Sequence, residues 1–170
     1  MIFESALAMR LALYQPDIPQ NTGAILRLAA CMGIAVDIIE PCGFLLDDRR
    51  LQRVGMDYLD HVAVTRHSSW DRFAIERTAH HGRLLLLTTK GTTPYVDYAF
   101  DPNDILMVGR ESAGVPEEIH KAADARLLIP MAEGVRSLNV ALAAAMVLGE
   151  ALRQTGFPMT GTTSEAERLP

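Results

Sequence analysis

Positive charge is in short supply in this chain: 16 Lys and Arg stand against 21 Asp and Glu, a formal charge of -5 over 170 residues. Nonspecific coating of nucleic acid draws its affinity from many phosphate-neutralising cations, so this balance argues against it while leaving room for a local basic patch. Cysteine is nearly absent. Cys31 and Cys42 are too few and too isolated for a disulfide framework or a thiolate metal site, which fits a reducing, cytoplasmic setting, and both read as packing residues. No apolar run approaches the roughly 18 residues that a membrane span needs. Met1 to Met9 carry Glu4 and no basic cluster, a poor secretory signal, and Met9 is itself a candidate start. The five histidines form no HExxH pattern, and adjacent His80 and His81 fall on an expected loop where their side chains diverge, so no metal site is expected.

With 49% hydrophobic residues, the chain has the apolar content of one compact domain. Short β-forming runs alternate with helix-like segments, the pattern of a single α/β domain with a mainly parallel sheet flanked by helices. Strands are expected over 10–14, 35–40, 62–65, 83–87, 104–108 and 125–129. The clearest helices are expected from Thr22 to Met32, Asp47 to Val54, Ser69 to Thr78, Pro116 to Ala122 and Leu138 to Gln154. Residues 1–9 read as an extension, 10–156 as the domain, and 157–170, rich in Thr, Ser, Glu and Pro, as a flexible tail.

In a parallel sheet the loops that leave the strand ends carry function, and here four junctions stand out: PDIPQNTG, TTKGTTP, GRESAGVP and IPMAEGVRSLN. Neither GxxxxGK[ST] nor a GxGxxG after the first strand is present, which argues against a P-loop enzyme or an ordinary Rossmann dehydrogenase. Asn21, Arg27, Glu111 and Asn139 lie in or beside these loops. Burying them singly is costly, but converging loops would let them satisfy one another. Asn21 is expected to cap the first helix, which puts Arg27 nearly two turns in. For a basic patch, Arg49, Arg50 and Arg53 fall within two turns of an expected helix, while Arg10, Arg27, Arg66 and Lys90 stand near strand ends; a solvated helix face is the alternative for the first three.

Three stretches, NTGAILR (Asn21 to Arg27), GRESAGVP (Gly109 to Pro116) and IPMAEGVRSLNVA (Ile129 to Ala141), resemble in order the signature motifs of the SPOUT class of RNA methyltransferases, in its ribose 2′-O-methylating branch. Matches to IIEP followed by GF (Ile38 to Phe44) and to TTKGT (Thr88 to Thr92) resemble its compact enzymes that methylate C or U at position 34 of tRNA. The resemblance runs from about Arg10 to Gly156. It implies a C-terminal trefoil knot, a topology that no periodicity argument reaches. It also implies S-adenosylmethionine held by Leu87, Gly109, Ile129 and Ser137, with Met131 and Leu138 nearby. Gly109 would let the backbone approach a flat adenine or ribose, and Leu87, Ile129 and Leu138 would give the adenine an apolar slot; plain core packing is the alternative. Arg110 stands where relatives often carry Pro or Ser, and a phosphate contact or a neutral exchange are both open.

The resemblance further implies catalysis by Arg27, Asn21, Glu111, Ser137 and Asn139. A guanidinium is normally charged throughout, so stabilising the forming alkoxide or clamping a phosphate is the safer role for Arg27 than that of a base. Glu111 would orient Arg27 and Asn21, while Ser137 and Asn139 would fix the knot loop and the ribose. The anticodon stem-loop of tRNA is the expected partner, contacted through Arg49, Arg50, Arg53 and Lys90. Leu138 to Leu152 is apolar almost all round, with small Ala143, Ala144 and Gly149, and implies a homodimer. Methylation at another tRNA or rRNA position, base methylation, and a non-catalytic RNA-binding module are the other readings.

Overall fold

The computed structural model describes residues 9–46 and 56–157. The expected helix from Asp47 to Val54, with Arg49, Arg50 and Arg53, lies outside the described residues, as do residues 1–8 of the extension and 158–170 of the tail.

Strands β1 (Arg10–Tyr14), β2 (Ala35–Ile39), β3 (Val64–His67), β4 (Leu84–Leu87), β5 (Thr93–Pro94), β6 (Ile105–Val108) and β7 (Ala125–Leu128) form one sheet in the order β3-β2-β1-β6-β4-β7-β5. Every pairing is parallel. The chain builds outward from β1, crosses to β4 and β5, and returns twice to insert β6 and β7 between strands already laid down.

Side chains alternate between two cores, as successive strand residues must. Leu11, Leu13, Val36, Ile38, Leu85, Leu106 and Leu127 pack under helices α1 (Pro19–Met32) and α4 (Val140–Thr155). Ala12, Tyr14, Ile39, Leu84, Leu86, Ile105 and Met107 meet Phe73 of α2 (Trp70–Arg77) and Ile119 of α3 (Glu117–Ala122) on the other face. A sheet covered on both faces explains why the central strands β4 and β6 read as continuous apolar runs.

Among the described residues, expected strand and helix positions hold to within a few residues, and the departures have physical causes. The third strand lies at 64–67 rather than 62–65, because His67 is a buried strand residue. Its Nε2 lies 2.8 Å from Asp37 Oδ1, and Arg10 forks onto the same carboxylate at 2.7 and 2.9 Å. This pairing lets Asp37 sit inside β2 at 4% exposure. Strand β6 starts at Ile105, since the amide of Asp104 is taken by the Asp101 carbonyl in a turn. The short β5 was not expected; Pro94 sits there on an edge strand that tolerates a missing donor. Among the described residues, no helix is long and apolar enough to cross a membrane.

Candidate functional site

The strands share one direction, so their C-terminal ends form a single rim, and the loops leaving β1, β4, β6 and β7 meet there. They enclose a cleft of about 570 Å³. Leu87, Gly109, Ile129, Met131, Ser137 and Leu138 all line it, as do Asn21, Glu111 and Asn139. One wall is apolar, from Leu87 at the end of β4 to Ile129 after β7 and Leu138 before α4.

The polar wall is a chain of hydrogen bonds across three distant stretches. Asn139 Nδ2 donates to Asn21 Oδ1 at 2.9 Å, and Asn21 Nδ2 donates to Glu111 Oε1 at 3.2 Å. The backbone N–H of Asp17 donates to Glu111 Oε2 at 3.0 Å, while that of Glu111 donates back to Asp17 Oδ1 at 3.1 Å. The Ser112 hydroxyl donates to the other oxygen of Asp17. Asn139 Oδ1 also caps α4, accepting from the amides of Ala141 and Leu142 at 2.9 and 3.3 Å.

Asp17 was missed in the sequence, although its place in PDIPQNTG, three residues past the end of β1, was the available signal. The β2 exit loop presses onto it: a Cβ on Gly43 would come within 2.7 Å of Asp17 Cβ, so only glycine permits the approach. Glu111 is pushed above the usual glutamate range, first by burial and then by a hydrogen bond between its carboxyl group and the Asp17 side chain, against the lowering effect of the Asp17 N–H. The same bond is the main cause holding Asp17 below its ordinary range.

Several expectations are corrected by this geometry. Asn21 does not cap α1; Pro19 occupies the first turn, Ile18 is the cap position, and Asn21 lies inside the helix with its amide free to reach Glu111. Glu111 does not hold Arg27. Arg27 lies outside the residues that line the cleft, on an exposed stripe of α1 with Ala24 and Cys31, its guanidinium carbon 4.7 Å from the centre of the Tyr58 ring. Gly109 lines the cleft with its backbone, but a Cβ there would point into the Gly114 backbone at 2.8 Å. A Gly109→Val change would therefore force the 110–114 turn apart rather than only fill the cleft. Cys31 is exposed and is not a packing residue, whereas Cys42 packs against the core and burial pushes its thiol up to about 11. Arg10 is not a patch cation, since it serves Asp37 inside the sheet; Arg66 is exposed and pairs with Glu40 at 2.7 Å. Lys90 is exposed in the loop after β4.

Among the described residues no His, Cys, Asp or Glu group is arranged to hold a metal ion. The cleft fits a cofactor of nucleoside size, with an apolar slot for a planar ring and polar groups for the rest. A parallel sheet with a cleft over its C-terminal strand ends is the arrangement in which α/β proteins bind ligands, at a crossing of the topology.

Comparison with known proteins narrows that class. Residues 8–149 match the SpoU rRNA Methylase family. A protein of Beijerinckia indica named tRNA (cytidine(34)-2′-O)-methyltransferase is 60% identical over 146 residues, covering 86% of this chain and 91% of the relative. A solved structure described as "Structural insights into the 2-OH methylation of C/U34 on tRNA" superposes with a TM-score of 0.82 at 39% identity, covering 86% of this chain and 95% of that one. An AdoMet-bound rRNA methyltransferase from Sinorhizobium meliloti gives a TM-score of 0.80 at 25% identity, covering 86% of this chain and 56% of that one. The chain belongs to the SpoU rRNA Methylase family and is a methyltransferase of the SPOUT class.

Proposed function

We propose that this protein transfers a methyl group from S-adenosylmethionine to the ribose 2′-hydroxyl of nucleotide 34, C or U, in tRNA. The observation that carries this reading is the convergence of Asn21, Glu111 and Asn139 on one wall of a cleft whose other wall is Leu87, Ile129 and Leu138. The relatives described above bear names for the same reaction, which supports it.

S-adenosylmethionine supplies an electrophilic methyl on a sulfonium, so the transfer needs no metal. The protein's part is to place the ribose oxygen in line and to ease the loss of its proton. Leu87, Ile129, Met131, Leu138, Gly109 and Ser137 would hold S-adenosylmethionine. Glu111 and Asn139 fix Asn21, and this rigid trio with Ser137 positions the ribose. Arg27, on the exposed stripe of α1, meets the RNA rather than the cofactor. There it clamps a phosphate next to the ribose.

The anticodon stem-loop docks through Lys90 and through Arg49, Arg50 and Arg53, and tRNA places the work in the cytoplasm. The C-terminal segment is threaded as the trefoil knot of the class. The working form is a homodimer: Leu142 and Met146 of α4 are 60% and 43% exposed on one helical stripe, and a Cβ on Gly149 beyond them would meet nothing. Mass analysis of nuclease-digested tRNA, treated with the protein and S-adenosylmethionine, is expected to yield a 2′-O-methylated nucleoside from position 34. A methyl group on the base, or on a ribose elsewhere, would refute the proposal.

A further inference from the structure

Arg110 is a charged side chain of the cleft to which the mechanism above gives no task. Its backbone is fixed by paired hydrogen bonds with Gly114, 3.1 Å from the Arg110 amide to the Gly114 carbonyl and 2.9 Å in return. Its guanidinium carbon lies 5.6 Å from the centre of the Tyr14 ring, and that ring is steadied by an edge contact with Trp70 at 6.5 Å. The arginine is thus held on a platform rather than waving in solvent. Its Nε is buried and has no hydrogen-bond partner.

The surroundings offer it no internal anion. Arg10, Arg66, Arg72, Arg77, Arg83 and Arg153 each have a carboxylate within 4 Å, but no such pair involves Arg110 among the described residues. Its neighbour Glu111 is already engaged by Asn21 and the Asp17 amide. A permanent cation with an unmet buried donor and no carboxylate beside it is costly, and an external anion on the terminal nitrogens of the guanidinium would offset that cost.

Accepting the methyl transfer to tRNA proposed above, we infer that Arg110 binds a backbone phosphate flanking the nucleotide being methylated. Direction favours RNA over the cofactor. Tyr14 belongs to the core on the α2 and α3 face, whereas Leu87 and Ile129 belong with the core under α1 and α4, so the guanidinium is drawn away from the apolar slot. Chemistry favours it too, since the planar fork of arginine matches two phosphate oxygens, and a chain of net charge -5 has few cations to spare for RNA.

The test uses the full chain with Arg110→Gln, which keeps most of the side-chain stem, and Arg110→Lys, which keeps the charge. Unmodified tRNA affinity is measured across a salt series, S-adenosylmethionine affinity by calorimetry, and methylation under steady state. For Arg110→Gln, tRNA binding is expected to weaken roughly tenfold, the loss of one charge-assisted bond. The slope of log affinity against log salt is expected to fall by about 0.7, one single-strand phosphate. Cofactor affinity is expected to hold within twofold, which also reports that the variant is folded, and the KM for tRNA to rise more than kcat falls. Arg110→Lys is expected to keep the salt slope and recover part of the affinity. Unchanged tRNA affinity and slope would overturn the inference, as would a loss confined to S-adenosylmethionine, which would assign Arg110 to the cofactor carboxylate. If the parent protein binds tRNA with the Arg110-dependent slope yet leaves nucleotide 34 unmethylated, the proposed reaction fails while the phosphate contact stands.

Discussion

Asn139 does two jobs with one amide, and two substitutions separate them. Its Oδ1 accepts the first amides of α4, and its Nδ2 fixes Asn21 at 2.9 Å. Asn139→Ala removes both. A lost cap costs about 1 kcal/mol, which for a domain of this size lowers Tm by roughly 2–4 °C. Asn139→Asp keeps an acceptor at the cap, and its charge suits a helix N-terminus, so its Tm is expected to match the parent. Aspartate has no donor for Asn21 Oδ1, however. The Asn21 amide must then turn its Nδ2 toward position 139, away from Glu111, and the polar wall of the cleft comes apart. One neutral hydrogen bond lost is worth roughly threefold to tenfold in single-turnover methylation, and the rearrangement at Glu111 adds to it. Thermal melts and single-turnover assays at saturating cofactor on both variants read the two roles apart. An Asp variant that methylates at the parent rate, or one that melts as early as the Ala variant, would refute the reasoning.

Glu111 has a folded pKa above its unfolded one, so the folded state holds its proton longer and stability from this group falls as pH rises above about 4.3. Urea titrations from pH 4 upward should show Glu111→Gln gaining on the parent and then levelling; a constant difference would mean that Glu111 is solvated like a surface carboxylate. Arg27→Ala is expected to lose about a hundredfold to a thousandfold in single-turnover methylation, with S-adenosylmethionine affinity kept within a few fold because Arg27 stands outside the cleft. A rate within threefold of the parent would leave Arg27 a surface residue on Tyr58. Leu142→Glu puts a charge on the exposed stripe of α4 and is expected to give monomers by sedimentation at micromolar concentration, whereas a monomeric parent would remove the proposed interface.

Periodicity and burial act locally, and what they govern was legible in the chain. RLALY, LLLL and ILMV are strands because their residues are buried on both faces of a parallel sheet, and α4 begins where Asn139 can cap it. The motifs that line the cleft were legible as well, because each needs a loop-forming sequence straight after an apolar strand. What the sequence could not determine depends on how distant segments meet. Burial of His67 and Asp37 inside the sheet required Arg10 to arrive from a neighbouring strand. Pro19 started α1 two residues before Asn21, which turned an expected cap into a side chain that reaches Glu111 across 90 positions of chain. Asp17 became part of the site only when the loop after β1 packed against the 110–114 turn, and Arg27 fell on the exposed stripe once the other faces of its helix were taken by the core and the cleft. Local preferences are written residue by residue, whereas these pairings were decided by the insertion of β6 and β7 between earlier strands, which alone brings the loops to one rim.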